Sequence, residues 1–128
     1  MTYSLDALKK NRVSALLYGG TEADRRALAV AATEALEAGL IEAKDAEALE
    51  RAVGNPRAVV YVPDLTVIPP VTQRFVVKVL REREERPKFI LGLPASPETA
   101  AQKGGLTEDL RYWLTHSTVD VKARSGKR

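Results

Sequence analysis

Three short, nearly unbroken apolar runs punctuate the chain: VSALLY from Val13 to Tyr18, AVVYV from Ala58 to Val62 and KFILGL from Lys88 to Leu93. Runs of this length, each ended by turn-forming residues, predict strands covered on both faces. A fourth run, STVDV from Ser117 to Val121, predicts a last strand. Between them the apolar positions switch to helical spacing. Ser4 caps a short helix with Leu5 and Leu8 on one face. From Thr21 to about Ala38, residues Leu28, Ala31, Ala32, Ala35 and Leu36 form a stripe, with Gly39 as the expected stop. Another helix follows soon after, with Ile41, Ala48, Leu49 and Ala52 on its inner face, and breaks at Gly54 to Pro56. Beyond the turn formers Pro63, Asp64, Pro69 and Pro70, a helix from Val71 to Glu85 is expected to bury Phe75, Val76, Val79 and Leu80, with REREER as its solvated end. PASPETAAQKGG reads as a loop with a short helix. Thr107 then caps EDLRYWL, whose Leu110, Trp113 and Leu114 share a face expected to pack into the core. Strands alternating with helices predict an α/β three-layer fold with a mainly parallel sheet.

Composition narrows this picture. A chain of 128 residues, 45% hydrophobic and 29% charged, is read as one domain over residues 1–121 with a basic, flexible tail over residues 122–128. The net charge of +3 owes much to that tail, KARSGKR, so the body is nearly neutral and offers no broad basic face for nucleic acid. With no cysteine there are no disulfides, thiolate metal sites or cysteine nucleophile. No apolar run reaches membrane-spanning length and the N-terminal segment lacks the apolar middle of a signal peptide, so the expected setting is cytoplasmic. Few Met and abundant Glu, Arg and Ala suggest a thermophilic source.

The first strand runs into Gly19 and Gly20 and then into a helix, the layout of a phosphate-binding loop. In G-x-x-x-x-G-K-[ST] the glycines turn N–H groups toward phosphate, the lysine neutralises it and the hydroxyl holds magnesium. Aligned to that frame, Gly19 fits, but Asp24, Arg25 and Arg26 stand at the second glycine, the lysine and the hydroxyl. An aspartate 4 Å from a phosphate is repelled by about 4 kcal/mol at an effective dielectric near 20. The same residues make good sense as a helix start. TEAD is a capping box in which Thr21 caps the helix, and Glu22 and Asp24 bring negative charge to its positive end.

Later segments resemble the AAA+ ATPase domain of the sigma-54-dependent transcription activators, the bacterial enhancer-binding proteins. VYVPDLTVIPPVTQRFVVKVL, Val60 to Leu80, is similar to that family's catalytic strand and following helix, with Pro69 at the family proline and Gln73 at the family glutamine. GGLTEDLRYWL, Gly104 to Leu114, resembles GRFREDLYYRL. The resemblance implies a P-loop-NTPase-like αβα fold with a reduced sheet, one strand short, and no helical lid. It also places Pro63 where the magnesium-binding aspartate belongs, Asp64 where the water-activating glutamate belongs and Pro94 at the sensor asparagine. Thr107 and Trp113 replace two arginines resembling the family's fingers. The contact loop that engages the sigma factor has no room here.

Losing these charges together conflicts with phosphoryl transfer, which rests on positioned charge. The expectation is a non-catalytic pseudo-ATPase domain without cofactor or catalytic residues, acting on a protein partner or on a second copy, with Arg111, Tyr112 and Trp113 as the candidate interface. Two alternatives stand beside it: a nucleotide-responsive switch in which Arg25 or Arg26 accepts phosphate, and nucleic-acid binding through the tail. Glu82, Glu84 and Glu85 among arginines read as a salt-paired surface. His116 has no partner for a metal site.

Overall fold

The computed structural model describes residues 4–121; the expected tail over residues 122–128 lies outside them. Five parallel strands form one sheet in the order β2-β3-β4-β1-β5. They are β1 (Ala15–Tyr18), β2 (Leu40–Glu42), β3 (Val59–Val62), β4 (Lys88–Leu93) and β5 (Thr118–Asp120). The helices are α1 (Leu5–Leu8), α2 (Glu22–Ala35), α3 (Ala46–Ala52), α4 (Pro70–Glu82), α5 (Pro97–Gln102) and α6 (Glu108–Trp113). Single 3-10 turns lie at Leu65–Val67 and Thr115–Ser117.

Side chains alternate across a strand, so each inner strand feeds two cores. Leu16, Val60, Val62, Phe89, Leu91 and Leu93 join α3, α4 and α6 on one face. Ala15, Leu17, Val59, Tyr61, Ile90 and Val119 join α1 and α2 on the other. The central strands are therefore buried throughout, which is why their sequences run apolar without alternation.

Several expectations need correction. A strand that the sequence reading did not include, β2, occupies Leu40–Glu42, where a helix starting near Ile41 was expected, and it pairs with β3 from Leu40↔Val59 to Glu42↔Tyr61. Helix α2 stops at Ala35, ahead of Gly39, because Glu37 takes the left-handed turn at φ 56. Its inner face is Arg25, Ala29, Ala32 and Thr33, while Ala35 is exposed. Helix α4 ends at Glu82 rather than Glu85, since Arg83 is extended. Thr72, Gln73 and Val77 join Val76 and Val79 inside it, and Phe75 and Leu80 are only partly covered. Trp113 does not share the core with Leu110 and Leu114; it is 43% exposed.

Candidate functional site

In open parallel sheets, ligands bind beyond the carboxyl ends of the strands. Here that end is built from the turn after β1, the start of α2 and the segment after β3. Only Gly19, Gly20 and Thr21 separate β1 from α2. Both glycines have positive φ, 81° and 63°, and a Cβ at Gly20 would meet Asp24 Oδ2 at 3.0 Å. With a turn this short, Asp24, Arg25 and Arg26 lie in the first turns of α2.

The helix start is self-capped. Thr21 Oγ1 accepts from the Asp24 N–H at 3.0 Å, and Asp24 Oδ2 accepts from the Thr21 N–H at 3.0 Å. Arg25 turns inward and is 4% exposed. Its Nη1 donates to Gly19 O at 2.8 Å and to Gly20 O at 3.4 Å, so the turn presents carbonyls to a cation of the protein itself. Arg25 Nε is buried with no hydrogen-bond partner. It passes over Gly92 of β4, where a Cβ would lie 3.4 Å from Nε and 2.7 Å from Pro63 O. Gly19, Gly20, Arg25 and Pro63 are therefore brought together around Gly92.

Arg26 faces the other way. It hydrogen-bonds the Glu42 carboxylate, lies 3.6 Å from Glu22 Oε2 and sits over the Tyr61 ring at 5.7 Å. The bond from Arg26 is the main cause holding the Glu42 carboxyl below its ordinary pKa. Tyr61 is fully buried and donates its hydroxyl to Glu22 Oε2 at 2.9 Å; burial first, and this carboxylate second, raise its pKa. Glu22, Arg26 and Glu42 line an open cleft of about 300 Å³ with Lys44, Pro63, Asp64 and Val67. Asp64 caps the 3-10 turn through Thr66 N–H at 2.9 Å and the Thr66 hydroxyl. The cleft network escaped sequence reasoning because Glu42 sits on the unrecognised β2; the visible signal was the i, i+4 pair of Glu22 and Arg26.

The remaining predicted positions lie apart from the turn. Pro94 is exposed after β4 and lines a small cavity of about 310 Å³ with Thr66 and Gly105. Thr107 caps α6, and its N–H donates to Gln73 Oε1 at 2.9 Å. Tyr112 is 77% exposed, and Arg111 Nη1 lies 3.9 Å from Glu108. His116 is exposed. Among the described residues no group of acidic, His or Cys side chains could hold a metal, and no helix is long and apolar enough to cross a membrane.

No protein-family model matches the chain, and no curated protein matches it by sequence. Solved structures do match its fold. The P-loop NTPase domain of a sigma-54 transport activator from E. coli superposes with a TM-score of 0.70 at 16% identity, covering 91% of this chain and 89% of that one. NtrX from Brucella abortus in complex with ATP gives 0.68 at 18% identity, and the chain spans 34% of NtrX's length. The Thermotoga maritima RuvB P216G mutant gives 0.63 at 12% identity, with 42% of that chain covered. The protein has the α/β fold of P-loop NTPase domains, and its resemblance to the sigma-54 activators extends to the three-dimensional structure.

Proposed function

We propose that this domain is a non-catalytic relative of AAA+ ATPases that serves as a protein-interaction or regulatory module. The observation that carries the reading is Arg25. In a phosphate-binding loop, backbone N–H groups face the ligand. Here Gly19 and Gly20 turn their carbonyls to the Arg25 guanidinium, and Thr21 and Asp24 consume each other's polar groups at the helix start. A nucleotide with magnesium does not fit this arrangement: the turn is filled from within, and Pro63 supplies no metal ligand beside Asp64. The half-buried Arg111 and the exposed Tyr112 and Trp113 on α6 remain the surface assigned to a partner, because aromatic and arginine side chains dominate interface energetics. The partner is another protein or a second copy of the chain, in a cytoplasmic setting.

A second reading is kept for one reason: NtrX has been solved with ADP and with ATP. Under it the domain retains weak nucleotide binding and acts as a switch. Thermal unfolding with and without ATP and magnesium separates the two. A ligand present at about 100 times its Kd adds about 2.7 kcal/mol to stability. We expect no shift at millimolar ATP. A clear rise in Tm that Arg25→Ala alters would overturn the pseudo-ATPase reading. Co-purification with the tagged chain, repeated with Tyr112→Ala and Trp113→Ala, tests the interface.

A further inference from the structure

The candidate cleft and the α6 surface are joined by one buried side chain. Gln73, 1% exposed, donates from Nε2 to Ile68 O at 2.9 Å and to Gly105 O at 2.9 Å, with Leu65 O at 3.3 Å. Its Oε1 accepts from the N–H of Thr107, the residue that caps α6. The amide thus holds the segment after β3 with one end and the entry to α6 with both. A second contact reinforces this link. A Cβ at Gly105 would lie 2.9 Å from Thr66 Cβ, so the two segments touch with no room for a side chain between them. Thr66 is itself fixed by the carboxylate of Asp64, which lines the cleft. From Asp64 to Thr66, Gly105, Gln73, Thr107 and α6, each step is a hydrogen bond or a close contact.

We propose that Gln73 is a positioning residue that makes the seat of α6, and with it the exposed face of Tyr112 and Trp113, depend on the conformation of residues 64–68 at the cleft. A partner or ligand that disturbs the Asp64 cap then alters the α6 surface, and a partner on α6 stabilises the capped state by the same amount, because coupling is reciprocal. The inference rests on the reading of α6 as the interaction surface, which it deepens by naming how that surface is regulated.

Trp113 is the only tryptophan in the chain, so its fluorescence reports α6 without any partner. The test is acrylamide quenching of the full chain in wild type, Asp64→Ala, Asp64→Asn and Gln73→Leu. Asp64→Ala is expected to raise the quenching constant, at most about twofold since Trp113 is already 43% exposed. Asp64→Asn, which can still cap, is expected to match wild type. Gln73→Leu should raise quenching by itself, and the double variant with Asp64→Ala should show no further rise, as coupled residues are non-additive. Gly105→Ala, which forces Thr66 and Gly105 apart while leaving the amide in place, should give the same rise and serves if Gln73→Leu does not fold. Asp45→Ala, which removes the cap of α3 and touches no link between Asp64 and Thr107 named above, should leave quenching unchanged. Wild-type quenching in Asp64→Ala, additivity in the double variant, or an equal rise in Asp45→Ala overturns the proposal. Because no partner enters the measurement, a failure here is distinct from a failure of co-purification.

Discussion

Arg25 is the residue on which the functional reading turns, and its burial has a cost that can be measured. A guanidinium 4% exposed, with one nitrogen unpartnered, is tolerated only because two carbonyls and the surrounding chain hold it. Arg25→Ala leaves those carbonyls without a donor and opens a cavity under the turn, so unfolding in urea should show a loss of about 3 kcal/mol. Arg25→Lys keeps the charge but not the planar fork and should recover only part of it. The capping box of Thr21 and Asp24 was legible in the sequence because its chemistry is local, four residues end to end. The role of Arg25 was not. Its direction depends on a turn of three residues and on the missing side chain of Gly92, both set by packing between distant strands.

At the scale of elements, the same contrast holds. β1, β3 and β4 were readable from their apolar runs, since a strand buried on both faces has no polar positions to confuse the pattern. β2 was not, because it is three residues long, lies at the sheet edge and leaves Leu40 exposed. The end of α2 was misplaced for a different reason. Ala38 N–H donates to Thr33 O at 3.0 Å and Glu37 N–H to Glu34 O at 3.1 Å, the Schellman pattern that glycine usually completes. Here Glu37 occupies the left-handed position at φ 56, whereas α5 ends on Gly104 at φ 80 in the corresponding bonds. Sequence rules place the stop on a glycine, and this helix stops on a glutamate. Glu37→Gly removes the steric cost of that conformation and should stabilise the domain by up to about 1 kcal/mol, seen as a higher urea midpoint with unchanged slope.

For the molecule as a whole, the two ends of the sheet are held differently, and the amino end predicts a pH dependence. There Phe89 N–H donates to Ser14 Oγ at 2.9 Å and Ser117 Oγ donates to Ser14 O at 2.7 Å, joining β1, β4 and the segment before β5. Lys88, fully buried at the start of β4, donates from Nζ to Asn11 O at 2.9 Å and also to Val13 O. Burial, with the nearby charge of Arg12 as a lesser cause, lowers its pKa from 10.5 to about 8. The unfolded chain keeps this proton up to its ordinary value, and the folded chain releases it near 8. Between those values the unfolded state binds more protons, so stability rises with pH, by at most about 1.4 kcal/mol per unit for one such group. The rise should be read between pH 8 and 10, because Tyr61 has its pKa raised and opposes further gain once unfolded tyrosine ionises. Urea midpoints for the wild type should therefore climb across that range. In Lys88→Met, which cannot titrate, the climb should vanish even though the carbonyls of Asn11 and Val13 lose their donor and the midpoint falls overall. A Lys88→Met chain that still gains stability from pH 8 to 10 would place the titration elsewhere.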